Sequence, residues 1–443
     1  MDHLNEVRAG DAPRDGERPH GIHAANFRFP PGFLWGASTS AHQVEGGNTR
    51  NDWWAWEQAG RVPHRSGDAA DHYRRFREDF ALAQALEHNA HRFSIEWSRI
   101  EPAEGVWDEN EIRHYRDVLE ALRERGLEPV VTLLHYTLPL WVAERGGWEN
   151  PEIEKWFARY VRRVMAEVGP LARWWITLNE PVVQVYKGWL IGQWPPGKVE
   201  WPAALRVLRH MLHAHVLAYH EIHHARPDAR VSIAKHVLAL SACDPRSWRD
   251  RMSVRLRSYF FNHLFLDALH SGVLRVPGLF WERLPRGRTL DFIGVNYYTR
   301  DFVHNSGLDL PGWMGGACDL DHRQQVGKLN DLGWEVYPEG LAQYLREYAR
   351  FRLPILITEN GIPARDDGDR WTFLFMHLWQ VARAIADGVP VVGYLHWSLL
   401  DNFEWADGYG ARFGLIEVDY ATQARRIRPS AWKYADIIRR NEL

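Results

Sequence analysis

Two glutamates stand in similar short motifs far apart in the chain: Glu180 follows Asn179 in TLNEP, and Glu359 precedes Asn360 in ITENG. Each motif closes an apolar stretch. A pair of carboxyl groups can cleave a glycosidic bond, because one protonates the leaving oxygen while the other attacks the anomeric carbon or activates water. Each glutamate alone could equally be a structural hydrogen-bond acceptor. The chemistry therefore depends on whether the fold brings the two together.

The aromatic content of the chain points to the same kind of ligand. There are 23 Trp, 16 Tyr and 18 Phe, and many lie beside polar residues, as in NDWWAW and HWSLLDNFEW. Such rings suit sugars, which have an apolar face and a polar rim. A large core could also use tryptophan as filler, so composition alone leaves the ligand open.

Short apolar runs rich in β-branched residues alternate with stretches of helical periodicity. The predicted strands are 33–39, 91–97, 128–135, 174–180, 230–236, 291–299, 354–360 and 391–398. The predicted helices are 68–89, 109–126, 152–168, 203–225 and 371–388. This alternation predicts an α/β fold, a single (β/α)8 TIM barrel with elaborated βα loops over residues 27–443, preceded by a polar, flexible leader at 1–26. A doubly wound sheet is disfavoured because no GxGxxG follows the first strand.

Active sites of such barrels lie at the carboxyl ends of the strands. Polar and aromatic side chains collect at the predicted ends: Gln43, His135, Asn179, Glu180, Asn296, Tyr298, Glu359, Asn360, His396 and Trp397. Glu180 ends the fourth strand and Glu359 the seventh, and these strands face each other across the mouth of a closed barrel. We therefore expect both carboxyl groups to reach one bond held between them.

Several spaced motifs together resemble glycoside hydrolase family 1, the β-glucosidase and β-glycosidase family, from Phe27 to the C-terminus. They are AHQVEGG, RFSIEWSRI, TLNEP, NYYT, ITENG and HWSLLDNFEW followed by RFGL. The resemblance implies a retaining enzyme that hydrolyses terminal non-reducing β-D-glycosyl residues through a covalent glycosyl-enzyme. It implies Glu180 as general acid/base and Glu359 as nucleophile, and it leaves glucose, galactose and fucose unranked.

The resemblance also implies the residues that surround the sugar. Gln43, His135, Asn179, Glu404 and Trp405 would bind its hydroxyls, Trp397 would stack beneath its ring, Asn296 and Tyr298 would lie beside the nucleophile with Arg92 as a charged neighbour, and Phe413 would close the pocket. Arg92 and Tyr298 should favour an ionised Glu359, and its negative charge should raise the pKa of Glu180.

Two departures from the family pattern concern the leaving group. His135 is followed by Tyr136 and Thr137 where the family often has His-Trp-Asp-Leu-Pro, and Val182 stands where many members have Trp. Two alternative functions stay open. A 6-phospho-β-glycosidase is disfavoured because Glu404 would repel a phosphate dianion, and an inactive carbohydrate-binding homologue is disfavoured because both glutamates are present.

A literal HExxH occurs at His220–His224, a spacing that can bind zinc. It closes a helix that follows the fourth strand and should run to the bottom of the barrel, away from the mouth. We therefore expect no metal site there, and nothing else in the sequence implies a cofactor.

Charge and cysteine usage limit the partners and the compartment. With 54 basic and 57 acidic residues the net charge is −3, so nucleic acid is not an expected partner. No apolar run reaches the length of a signal peptide in residues 1–26 or of a membrane span elsewhere. Cys243 and Cys318, 75 positions apart, predict no disulfide framework. We expect a cytoplasmic enzyme of small β-glycosides or oligosaccharides, with no membrane partner and an open oligomeric state.

Overall fold

The structure is a computed structural model that describes residues 27–285, 287–308, 310–318 and 327–443. The leader expected at 1–26 lies outside the described residues. The strands are β1 (Leu34–Ser38), β2 (Ala90–Ser94), β3 (Glu128–Thr132), β4 (Trp174–Asn179), β5 (Arg230–Ala242), β6 (Val273–Val276), β7 (Phe280–Arg283), β8 (Ile293–His304), β9 (Gly316–Ala317), β10 (Ile355–Asn360), β11 (Val391–Trp397), β12 (Ile416–Asp419) and β13 (Ala424–Ile427).

The α-helices are α1 (Ala41–Val44), α2 (Asp52–Gln58), α3 (His72–Ala85), α4 (Trp97–Ile100), α5 (Glu109–Glu124), α6 (Leu140–Glu144), α7 (Ile153–Val168), α8 (Pro181–Val185), α9 (Trp201–Ala225), α10 (Trp248–Ser258), α11 (Leu264–Ser271), α12 (Leu310–Met314), α13 (Pro338–Tyr348), α14 (Asp367–Ala386) and α15 (Pro429–Arg440). No helix within the described residues combines the length and the apolar character that a bilayer span requires.

Eight parallel strands close into a barrel in the order β1, β2, β3, β4, β5, β8, β10 and β11, with β11 pairing back to β1. The predicted (β/α)8 fold is confirmed, and each predicted strand coincides with one barrel strand. Strands β5 and β8 are longer than predicted, because they continue to pair beyond the barrel from Ala239↔Arg300 to Ala242↔Val303. The hairpin of β6 and β7 and the helices α10, α11 and α13 were not predicted.

Successive side chains of each barrel strand point alternately into the barrel and out toward the helices, so the apolar residues form two separate layers. Inward-facing residues from six strands form one cluster at the bottom of the barrel: Ala90, Val130, Ile176, Ala234, Leu356 and Leu395. Outward-facing residues such as Val131, Trp175 and Ile233 pack in the larger core against the helices. On β2, Arg92 lies two residues beyond Ala90 and so faces the same way, toward the mouth. The filled bottom layer makes the barrel a rigid support for polar groups above it.

The helices form where an apolar stripe and a capping residue coincide. In α5 the Asp108 carboxylate accepts hydrogen bonds from the first-turn backbone N–H groups of Asn110 and Glu111. The buried face of α5 carries Ile112 and Leu119, seven residues apart, as a helix that covers a sheet requires. Such helices lie outside the barrel and leave its mouth to the loops.

Cys243, directly after β5, forms a disulfide with Cys318, directly after β9, and their Cα atoms are 6.0 Å apart. The sequence analysis expected no disulfide framework, and the structure nevertheless pairs the two cysteines. Sequence separation says nothing about distance once β5 pairs with β8 and β8 with β9, since these pairings bring both cysteines to one edge of the sheet. The disulfide closes a long loop and so constrains the unfolded chain.

A lysine is completely buried on the outer face of β5. The Lys235 ammonium group donates to the backbone carbonyl of His236 and lies 4.9 Å from the centre of the Phe261 ring. Burial lowers the pKa of Lys235 to about 7, and the charge of Glu180 only partly opposes this. The folded protein therefore begins to lose this proton near neutral pH.

Lys235→Met should stabilise the protein in a pH-dependent way. In the unfolded chain Lys235 keeps its proton up to the ordinary pKa of 10.5. Between about pH 7 and 10.5 the unfolded state therefore binds more protons than the folded state. As a result, Lys235 makes the free energy of unfolding rise with pH in this range. Methionine should therefore add as much as about 5 kcal/mol at pH 6.5 and almost nothing near pH 10.5. Calorimetric melting of both proteins across this range measures the difference. A pH-independent difference would contradict the assignment.

Candidate active site

Both candidate catalytic glutamates lie where a barrel strand becomes irregular. The pairing of β4 with β5 shifts register between Ile176 and Asn179, and that of β10 with β8 shifts between Ile357 and Glu359. Glu180 has φ of 43°, a left-handed conformation that is costly for a residue with a Cβ atom. Bulges of this kind re-aim side chains. Here they turn two carboxyl groups into the mouth of the barrel.

A hydrogen-bonded network connects the two carboxyl groups. The Arg92 guanidinium donates through Nη1 to Glu359 Oε1 and through Nη2 to Asn179 Oδ1 at 2.7 Å. Asn296 Nδ2 donates to Glu180 Oε1 at 2.7 Å and to Asn179 Oδ1 at 3.3 Å. Strands that are distant in sequence thus place Glu180 and Glu359 in one polar cluster.

Glu359 is held by a cation and a phenol. Besides the Arg92 contact, the Tyr298 hydroxyl donates to Glu359 Oε2 at 2.6 Å. Burial raises the pKa of Glu359, Arg92 and Tyr298 lower it, and the charge of Glu180 raises it, with a net increase above the ordinary value. The expected contacts of Arg92 and Tyr298 with Glu359 are therefore present, but desolvation outweighs their effect.

Glu180 has two partners that the sequence analysis did not include. The Tyr136 hydroxyl donates to Glu180 Oε2, and His236 Nδ1 lies 3.2 Å from Oε1. Burial raises the pKa of Glu180, but the contact with His236 and the hydrogen bonds from Tyr136 and Asn296 lower it to about 2. The expected rise in the pKa of Glu180 considered only the charge of Glu359 and not these three neighbours.

Gln43 and Glu404 form a second polar group at the mouth. Gln43 lies on α1, and its Nε2 donates to Glu404 Oε2 at 3.2 Å and to the Phe403 carbonyl at 3.0 Å. Burial raises the pKa of Glu404 to about 8, and the charges of Asp407 and Glu359 add to this effect. Glu404 is therefore a carboxyl group that gains from hydroxyl donors when a ligand supplies them.

The His135 ring stacks near two indole rings. Its ring is nearly parallel to those of Trp397 and Trp405, with centroids 5.9 and 6.1 Å away. Asn179 Nδ2 contacts His135 Nε2 at 3.2 Å, while the buried Nδ1 has no hydrogen-bond partner among the described residues. Burial and the charge of Arg92 hold the pKa of His135 well below its usual range, so the imidazole is neutral. Its Nδ1 is available to a ligand hydroxyl.

Phe413 packs with Trp397 at the same mouth and lies 6.2 Å from Tyr298 and 6.4 Å from Trp334 between ring centroids. Trp334 was not singled out because it lies in a loop outside any predicted strand end. The structure brings the predicted residues to one site: Gln43, Arg92, His135, Asn179, Glu180, Asn296, Tyr298, Glu359, Trp397, Glu404, Trp405 and Phe413.

Other sequence candidates lie elsewhere. Asn360 donates to the Tyr297 carbonyl and accepts from the Tyr394 hydroxyl, which is a structural role between strands. In the HExxH segment, Glu221 forms a two-point ion pair with Arg162 of α7. That segment ends α9, at the face of the barrel opposite the carboxyl ends of the strands.

The fold and the paired carboxyl groups define a barrel glycosidase, and comparison with known proteins identifies its family. The sequence matches the profile of glycosyl hydrolase family 1 over residues 25–275 and 282–443. This chain belongs to glycosyl hydrolase family 1. It is a glycoside hydrolase, as the sequence motifs predicted.

Similar proteins agree over nearly the whole chain. Beta-glucosidase A of Thermotoga maritima is 35% identical, with 94% of this chain and 99% of that protein aligned, and a beta-galactosidase of Pyrococcus woesei is 31% identical over 90% and 94%. The structure of a beta-glycosidase from Pyrococcus horikoshii superimposes with a TM-score of 0.88 at 39% identity, over 95% and 96% of the two chains. A Thermotoga maritima beta-glucosidase in complex with glucoimidazole gives 0.87 at 33% identity, over 94% and 100%.

Proposed function

We propose that this chain is a retaining β-glycosidase that releases terminal non-reducing β-D-glycosyl residues from small β-glycosides or oligosaccharides. The network that links Glu180 to Glu359 through Arg92, Asn179 and Asn296 carries the proposal, because it sets two buried carboxyl groups around one space. The names of the relatives, beta-glucosidases and beta-galactosidases, support it.

The first step forms a glycosyl-enzyme. Glu359, oriented by Arg92 and the Tyr298 hydroxyl, attacks the anomeric carbon, and the bond to the leaving oxygen breaks. Glu180, protonated in the complex with substrate, donates its proton to the leaving oxygen, which departs as the alcohol. In the second step Glu180 takes a proton from water, the water oxygen bonds to the anomeric carbon, and Glu359 departs as a carboxylate.

The sugar itself is bound by polar and aromatic groups at the mouth. His135, Gln43 and Glu404 offer donors and acceptors to hydroxyls, and Trp397 offers an apolar face to the ring. Within the part of the chain that the structure describes, no cation forms an ion pair with Glu404, so the site does not favour a 6-phosphorylated sugar. Glucose, galactose and fucose differ in hydroxyl groups that His135, Gln43 and Glu404 can contact, so these residues do not rank the three sugars.

A panel of chromogenic aryl β-glycosides tests the function. Release of the phenol, with the β-anomer of the sugar observed first by NMR, is the expected result. First appearance of the α-anomer would contradict a retaining mechanism, and absence of any release would favour an inactive sugar-binding homologue. Comparison of kcat/KM among glucosides, galactosides and fucosides identifies the preferred sugar.

Glu404→Gln should weaken kcat/KM by about 10- to 150-fold, or about 1.5–3 kcal/mol, while the protein stays folded. Hydrogen bonds from the hydroxyls of a bound sugar favour an ionised Glu404. The amide keeps the size and the contact with Gln43 but cannot form these charge-assisted bonds. Kinetics on the panel of unphosphorylated glycosides provide the measurement. An unchanged kcat/KM on every one of them would remove Glu404 from the sugar site.

The cytoplasmic location stays a proposal. The Cys243–Cys318 disulfide is typical of oxidising compartments and argues against it. Fractionation of the source cells, with the thiols blocked at lysis, would decide both the location and the oxidation state of the pair.

A further inference from the structure

Side chains that can bind a metal ion meet at the far end of the extension of β5 and β8 beyond the barrel. Ligand atoms of Cys243, Asp250 and His304 all lie within 4.8 Å of one another. Cys318 Sγ is bonded to Cys243 Sγ, so a fourth side chain of this kind adjoins the same point. The proposed glycosidase chemistry uses none of these four residues.

Backbone pairing holds the four positions together. The Cys243 N–H group donates to the Val303 carbonyl at 2.9 Å, which places Cys243 beside His304, the last residue of β8. His304 pairs in turn with Gly316 of β9, two residues before Cys318. The ends of β5, β8 and β9 therefore converge on one point.

Asp250 comes to this point from the first turn of α10, where it is 2% exposed. Its Oδ1 accepts from the Asn305 N–H group and its Oδ2 from the Asp244 N–H group, both at 3.0 Å. Backbone donors of this kind fix the orientation of a metal-binding carboxylate. His304 Nδ1 lies 3.3 Å from Asp250 Oδ2, and nitrogen and oxygen ligands of a tetrahedral zinc ion are about 3.3 Å apart.

The four side chains make a ligand set that suits zinc. Structural zinc sites are almost always tetrahedral, and zinc accepts thiolate, imidazole and carboxylate ligands. Thiolates select zinc over calcium and magnesium, which prefer oxygen. A disulfide alone needs neither His304 nor Asp250, whereas a site with four protein ligands uses both.

We propose that this cluster binds one structural Zn²⁺ ion when its two cysteines are reduced, with four ligands: Cys243, Asp250, His304 and Cys318. A cellular dithiol supplies two electrons and two protons to the disulfide and becomes a disulfide itself. Zn²⁺ then bonds to both sulfurs, to the imidazole and to the carboxylate, and the two thiol protons pass to solvent. In a reducing compartment zinc thus links β5, β8, β9 and α10, as the disulfide links β5 and β9 in an oxidising one. The inference goes beyond the proposed function and does not depend on it.

The test is zinc binding by the full chain, freed of metal with a chelator and reduced with a phosphine. Titration with Zn²⁺ should show one site per chain with a Kd below about 1 µM, and excess zinc should raise the melting temperature by a few degrees. Co²⁺ in the same site should give the visible absorption of tetrahedral thiolate coordination. The oxidised chain should show no such site, because a disulfide offers no thiolate.

Single variants identify the ligands. The His304 side chain is 56% exposed, so His304→Ala should fold normally and should weaken zinc binding by at least about 100-fold. Cys318→Ser should do the same. His224→Ala is the matched control, since His224 is an exposed histidine on α9 and belongs to the HExxH segment. It should bind zinc as the wild type does.

The outcomes decide for or against the site. One zinc per reduced chain, weakened in His304→Ala and Cys318→Ser and kept in His224→Ala, supports the proposal. It is overturned if the reduced wild type has no site with a Kd below about 1 µM, if the oxidised chain or folded His304→Ala binds zinc equally well, or if His224→Ala loses the ion. Since no measurement here uses glycosidase activity, failure of the zinc site leaves the proposed function standing.

Discussion

Glu359→Ala is expected to abolish turnover of every β-glycoside, with a loss on the order of 10⁴-fold or more, because no glycosyl-enzyme can form without the attacking carboxylate. Azide or formate should restore reaction on an activated aryl β-glycoside by filling the space that the carboxylate leaves. Azide then attacks from the face of Glu359, and the product should be the α-glycosyl azide. NMR of the product identifies the anomer.

The stereochemistry of rescue tests the role more sharply than loss of activity, which any damaging substitution could cause. Glu221→Ala is the matched control, since Glu221 pairs with Arg162 on α7, outside the barrel mouth. It should keep full activity and show no response to azide. A β-glycosyl azide from Glu359→Ala would assign the nucleophile elsewhere.

Glu180→Ala should give a different pattern. The glycosyl-enzyme still forms from an activated substrate whose leaving group needs no proton, but its hydrolysis loses the general base, so kcat should fall by about 10²–10⁴-fold. Azide needs no base and approaches from the face opposite Glu359. It should accelerate turnover and give the β-glycosyl azide.

Two measurements check the second prediction. A burst of phenol should precede a slow steady state, because the glycosyl-enzyme accumulates. The burst should disappear when azide is added. An α-glycosyl azide, or a variant that turns over activated substrates as fast as the wild type, would remove Glu180 from the acid/base role.

The local pattern of apolar residues was sufficient to predict the (β/α)8 architecture from the sequence. Short apolar runs rich in β-branched residues mark the barrel strands, and the filled interior and the outer helices follow from apolar residues on both faces of each strand. The rule that active sites lie at the carboxyl ends of such strands then led to Glu180 and Glu359 and to most of their neighbours. The same rule could have found His236, which is the last residue of the predicted fifth strand.

Two features were decided by the tertiary structure alone. They are the neighbours that shift the pKa of the catalytic carboxyl groups and the pairing of the two cysteines. The pKa of a buried carboxyl group depends on atoms within a few ångströms, and the donors to Glu180 come from residues 136, 236 and 296, whose distances no spacing rule gives. The disulfide between Cys243 and Cys318 follows from the pairing of β5, β8 and β9 in the same way. Sequence periodicity determined the scaffold because it is a local property, whereas the electrostatics of the site arise only when distant strands are placed side by side.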